Sequence, residues 1–151
     1  MKIERDEEEP TMRFAALLLA TVLFGTSAGA QSPSSWFTVT GDPERAEVDT
    51  VQVDPVAVAR DADGKTMNIR VSRAALRRNW DGVPYRSYDA QVVFRCAEQR
   101  AEYRAVTYYL APLWRGDPHV TVDYSSRPQP MLFKDAQPNP TQRIVRAACG
   151  A

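Results

Sequence analysis

The clearest signal along the chain is an alternation of apolar and polar residues with a period of two. It is strongest over residues 88–96. There Tyr88, Ala90, Val92, Phe94 and Cys96 share one side, and Asp89, Gln91, Val93 and Arg95 share the other. A period of two predicts a strand with one buried face. The pattern recurs over residues 65–71, with Met67, Ile69 and Val71 set against Asn68 and Arg70. It returns over 103–110, where Val106, Tyr108 and Leu110 fall together, and over 120–124, where Val120, Val122 and Tyr124 alternate with Thr121 and Asp123. Residues 36–40 and 47–53 are shorter β-branched runs that predict two further strands. Pro55 interrupts the second before it resumes over 56–59. A residue without an N–H there predicts an edge position or a bulge.

Turn chemistry separates these runs. Gly41, Asp42 and Pro43 predict one turn. Asp61, Ala62, Asp63 and Gly64 predict a hairpin, with the glycine where positive φ is needed. Residues 72–85 have the weakest period. A helical turn over 73–80, closed by Asp81, Gly82, Val83 and Pro84, is the expectation there. Residues 111–118 read as a loop. Residues 125–140 carry four prolines and allow only a short extended piece at 131–133. Asn139 followed by Pro140 has the form of an N-cap with proline at the first helical position. A helix is expected over 141–149, with Ile144 and Ala148 on one line, Val145 and Cys149 on another, and Gly150 as its stop.

The N-terminal region has a different character. Residues 12–30 read MRFAALLLATVLFGTSAGA. Arg13 supplies a short positive region, an apolar run covers 14–24, and Ala28 and Ala30 place small residues where a signal peptidase requires them. Cleavage before Gln31 is expected. The run is about half the ~20 residues of a membrane-spanning helix. The first eleven residues are acidic, which is the wrong sign for a signal peptide, and a translation start at Met12 accounts for them. Residues 1–30 are thus read as an upstream extension and cleavable signal, and residues 31–151 as one domain. The product is exported, to the periplasm or the outer surface, with no transmembrane segment in the mature chain.

Charge adds little at the level of the whole chain, since 19 basic residues balance 19 acidic ones. That gives no case for nucleic-acid binding. The distribution is uneven, because residues 31–64 are mainly acidic and residues 65–105 mainly basic. One reading pairs these charges across a sheet. The other is an open basic patch of Arg73, Arg77, Arg78 and Arg86 for an anionic partner such as a glycan or lipid head group. The acids nearby favour pairing.

The two cysteines, Cys96 and Cys149, both fall on apolar faces. In an oxidising compartment an isolated pair predicts a disulfide. It would fasten the last helix to the sheet and contribute about 4 kcal/mol through chain entropy. Catalytic motifs are missing: there is no nucleophile elbow, phosphate loop, dinucleotide fingerprint or paired-histidine metal motif. His119 stands alone, and Asp61 and Asp63 read as turn residues. No enzyme activity, metal or cofactor is expected. Trp36, Trp80, Trp114, Tyr108 and Tyr109 could form a contact surface or cover the edges of a small β core, and the second reading is favoured.

Several segments together carry a family resemblance. They are Trp36, the hairpin VQVDPVAVARDADGKTMNIRV at 51–71, YRSYDAQVVFRC at 85–96, YRAVTYY at 103–109 and IVRAAC at 144–149. With the signal peptide, these resemble the surface-adhesin E family of bacterial envelope proteins. The resemblance implies an α+β fold: a curved antiparallel sheet of about six strands, with a C-terminal helix held on its concave face by a disulfide. The family's best-known members bind host extracellular-matrix proteins, and no catalytic residues carry over. The proline-rich stretch 127–140 departs from the tryptophan-and-serine lead-in expected before the terminal helix. The expected function is a non-enzymatic exported domain that binds a protein or glycan at the envelope or surface. The alternative is an accessory or structural subunit of an envelope assembly, with a homodimer formed through exposed strand edges.

Overall fold

The computed structural model describes residues 36–62 and 64–150. The expected signal peptide and its cleavage residues, Ala28, Ala30 and Gln31, lie outside the described residues. The strands are β1 (Phe37–Thr40), β2 (Thr50–Asp61), β3 (Gly64–Arg78), β4 (Pro84–Arg95), β5 (Arg100–Tyr109), β6 (Val120–Asp123) and the two-residue β7 (Gln129–Pro130). One helix, α1 (Thr141–Gly150), follows. β1 to β6 form an antiparallel meander in chain order, and β7 pairs β5 beyond the end of β6. The fold is α+β, an open antiparallel sheet with a C-terminal helix, as the period-two runs and the family resemblance imply.

Strand alternation places one side chain in two on the helix-bearing face. Met67, Ile69, Val71, Val92 and Phe94 are fully buried there. α1 packs on this face against β1, β2, β4 and β5, and buries Ile144, Val145 and Ala148 completely. Its start follows from Asn139, whose Oδ1 accepts the Thr141 amide at 2.9 Å, and from Pro140, whose carbonyl accepts the Ile144 amide at 3.0 Å. Cys96 and Cys149 form the disulfide, with Cα atoms 5.7 Å apart. Among the described residues, no helix is long and apolar enough to cross a membrane.

Three local expectations are corrected. Residues 73–78 are not a helical turn. β3 continues to Arg78 because Arg77 and Arg78 pair with Tyr85 and Pro84, after a register shift beyond Ser72. Leu110 lies outside β5 and is 49% exposed. The phase of β5 also changes within the strand: Ala101 and Tyr103 point inward, then Val106 and Tyr108 do. Gln91 pairs with Ala105 but Val92 pairs with Tyr103, so Arg104 is the extra residue of a bulge. The extended piece near 131–133 is instead Gln129–Pro130, and Met131 and Phe133 drop into the core. Pro55 lies where the register of β2 against β3 shifts, past the residues that β1 covers, so bulge and edge coincide. At Gly64 the observed constraint is close approach, since a Cβ would lie 2.5 Å from the Phe94 carbonyl oxygen.

Candidate functional site

A cavity of about 490 Å³ opens on the helix-bearing face. Its floor is built from four tyrosines: Tyr88 from β4 and Tyr103 and Tyr108 from β5, which the strand phases on either side of the Arg104 bulge aim inward, and Tyr85 from β4, beyond the register shift of the β3–β4 pairing. Tyr88 and Tyr108 are directly paired residues. Their rings pack at centroid distances of 5.3 Å (Tyr85 with Tyr108) to 6.0 Å (Tyr88 with Tyr103). The hydroxyls of Tyr88 and Tyr103 share a 2.6 Å hydrogen bond. Trp80 covers one side, with its ring 5.8 Å from Tyr103 and 5.4 Å from Tyr124. It is held by the β3–β4 turn, which Asn79 organises. The Asn79 Oδ1 accepts the amides of Asp81 and Val83 at 2.9 and 2.8 Å, and its Nδ2 donates to the Tyr108 hydroxyl at 3.0 Å. Gly82, at φ 79°, closes the turn. The Tyr124 hydroxyl donates to Asp81 at 2.9 Å. The opposite wall is the segment after β7, with Leu132, Phe133, Lys134 and Asp135.

The electrostatics of this pocket centre on Arg73, which is 2% exposed. It pairs with Asp49 at 3.2 Å and with Asp135. Burial works against its charge, but the two carboxylates outweigh burial and raise its pKa. Burial raises the tyrosines as well, Tyr85 to about 12, with Tyr88, Tyr103 and Tyr108 also shifted upward. The floor is therefore neutral and rich in hydroxyls.

The profile of the family described as surface-adhesin protein E matches residues 36–150. The chain belongs to the surface-adhesin protein E family. No curated protein and no solved structure matches it significantly. The family's description is that of surface adhesins.

In this surface-adhesin E chain, the four arginines of the expected basic patch gather around one corner but do not form an open surface. Arg73 is buried and paired. Arg86 donates to the carbonyls of Arg73 and Ala46 at 3.0 and 3.1 Å. Arg77 lies 3.7 Å from Asp135. Arg78 donates to the Gly82 carbonyl at 2.8 Å and reaches the pocket rim, where Lys134 joins it. The aromatics divide between faces. Trp80 and Tyr108 belong to the pocket, whereas Trp36 and Trp114 flank Arg70 on the other face of the sheet. The Tyr109 hydroxyl bonds Asp89 on that outer face. His119 is exposed, and its amide donates to the Tyr108 carbonyl at 2.8 Å. Among the described residues, no group of three or more His, Cys, Asp or Glu could hold a metal. Sequence reading missed the tyrosine floor as a unit, although the phases of Tyr88 and Tyr108 carry the signal. It also missed Asn79, Leu132 and Lys134, which only the folded turn and the returning segment bring together.

Proposed function

We propose that the mature chain, cut before Gln31 and exported, is a non-enzymatic binding module that holds a macromolecular partner at the envelope or outer surface through the tyrosine pocket. The observation that carries this reading is the contrast between rim and floor. Trp80 and Leu132, at the rim, are 49% and 51% exposed, while the rings of Tyr88, Tyr103 and Tyr108 below are buried with their hydroxyls already bonded. Exposed tryptophan beside preformed, tyrosine-lined concavity is the composition of binding hot spots. A floor whose rotamers are already fixed also loses little entropy on binding. The test is surface binding of the mature protein to immobilised extracellular-matrix proteins and envelope fractions, beside Trp80→Ala and Leu132→Ser variants that keep the wild-type melting temperature. Micromolar or tighter binding that weakens at least roughly tenfold in both variants supports the reading. No partner, or equal binding by wild type and variants, overturns it.

A second reading, a self-associating accessory subunit, draws on the uncovered part of β2. Beyond the residues paired to β1, Val56 and Val58 are 68% and 53% exposed on an open strand edge. A concentration-independent monomer in analytical ultracentrifugation removes that reading.

A further inference from the structure

The face of the sheet away from α1 carries a continuous polar row. The register sets Thr38, Gln52, Arg70, Asp89, Thr107 and Thr121 side by side, one from each strand of the meander. Directly paired residues point to the same face, and six strands span roughly 24 Å at their usual spacing. Most of the row is knitted together. The Gln52 Nε2 donates to the Thr38 hydroxyl at 2.8 Å, the Arg70 Nε donates to the Gln52 Oε1 at 2.6 Å, and the Thr107 and Thr121 hydroxyls meet at 3.2 Å. The row breaks at Asp89, which bonds neither Arg70 nor Thr107. Arg70 and Asp89 face each other, yet Arg70 bonds Gln52 while Asp89 accepts the Tyr109 hydroxyl at 3.0 Å.

A cleft of about 470 Å³ lies over that break. Its aromatic walls are Trp36 and Trp114, whose ring centroids lie 4.4 and 4.2 Å from the Arg70 guanidinium carbon. Asn68 and Gln91, a directly paired couple, extend the polar floor. The position of Trp114 is enforced. Leu113 and Trp114 both have positive φ, at 57° and 56°, a conformation that non-glycine residues hold only where the surroundings impose it. The surroundings here are Ser72 and Ser87, a fully buried cross-strand pair whose hydroxyls accept the Leu113 and Trp114 amides at 3.0 Å each. The Trp114 indole N–H then donates to the Val71 and Tyr88 carbonyls, both at 3.1 Å.

We infer that this cleft is a second binding site, independent of the tyrosine pocket, and that it takes a neutral carbohydrate chain. Its chemistry calls for a ligand that offers hydrogen-bond donors and acceptors on adjacent atoms. A sugar diol does so: one hydroxyl donates to the Asp89 carboxylate, and its neighbour accepts from Arg70 or from the Gln91 or Asn68 amide. Arg70 occupies one face of each indole, so the C–H groups of the sugar ring contact the indole surface that the guanidinium leaves uncovered. An anionic ligand is disfavoured. Among the described residues, the one cation lining the cleft, Arg70, lies between two indoles with the Asp89 carboxylate opposite it, so the charge of that lining sums to zero.

The test titrates the disulfide-bonded mature protein with chitohexaose, cellohexaose and mannohexaose. The readouts are tryptophan fluorescence and calorimetry, and a heparin hexasaccharide serves as the charged competitor. The expected result is saturable binding of at least one neutral oligosaccharide. That binding weakens roughly tenfold or more in Gln91→Ala and in Trp36→Ala, stays unchanged in Trp80→Ala on the other face, and is not displaced by heparin. Gln91 is exposed, so its variant separates lost contacts from lost fold. No saturable binding across the three sugars, binding indifferent to Gln91→Ala and Trp36→Ala, or displacement by heparin would each overturn the inference. None of these outcomes bears on the pocket around Trp80.

Discussion

Arg73 is 2% exposed, while its partners Asp49 and Asp135 keep 35% and 49% of their side-chain surface in contact with water. The two ends of this ion pair are therefore not equivalent to mutation. Replacing both carboxylates by asparagine strands a charge in the interior and is expected to cost about 3 kcal/mol. Arg73→Met removes the charge and leaves two acids that water can solvate, so it should cost less. Urea denaturation of both variants checks the order, and equal losses would contradict it. The tyrosines supply a second prediction. Burial raises all of them, Tyr85 to about 12, whereas an unfolded tyrosine titrates near ~10. The protonated rings thus contribute stability that is fully present below about pH 10 and is lost as pH rises toward the folded values. Phenolate absorbance of the native protein should rise at higher pH than that of the urea-unfolded chain, and stability should fall above about pH 10. Matching titration curves for the two states would refute this. Tyr88 and Tyr108 were legible as inward residues because their neighbours alternate. Arg73 was not, since nothing local distinguishes it from Arg77 or Arg78. Its burial depends on Asp135, 62 residues away.

Among the elements, α1 is the one that cannot stand alone. Ten residues are too few for an independent helix in water. It is held by the burial of Ile144, Val145 and Ala148 and by the Cys96–Cys149 bond, which closes a separation of 53 residues. Cys96→Ala with Cys149→Ala should lower stability by up to about 4 kcal/mol yet leave the helix signal in circular dichroism, because its apolar face still docks. Loss of that signal at temperatures where the sheet persists would show that packing alone does not hold it. β4 was readable from Tyr88 onward, because a period of two with one apolar face admits few alternatives, but its first residues, from Pro84, were not read as strand. β3 was misread beyond Ser72. Arg73, Ala74, Ala75, Leu76, Arg77 and Arg78 favour helix locally, and the hairpin pairing with Tyr85 and Pro84 overrides that preference. The bulge at Arg104 was invisible for a related reason, since an unpaired residue shows only against its partner strand.

At the scale of the whole molecule, the antiparallel sheet and its C-terminal helix followed from the runs of alternating residues and the family resemblance, whereas the meander order came only from the structure. The two binding surfaces did not. Each is assembled from strands and loops distant in sequence: the pocket by the return of residues 131–135, the outer cleft by the fold-back of Leu113 and Trp114 onto Ser72 and Ser87. For the exported product, we expect an intact mass that begins at Gln31 and is lighter by two hydrogens than after reduction. A mass that includes the upstream residues, or one that reduction does not change, would count against export or against the bond. That bond also decides how the molecule would bear load. Tension applied between residues 36 and 150 would pass from Cys149 straight to Cys96, so the segment between them carries no force. An intact molecule pulled from its ends would lengthen by roughly 200 Å before the chain is taut, against roughly 400 Å once the bond is reduced. The last three strands, the returning segment and the helix would sit inside a covalent bypass, off the loaded path while the first four strands yield.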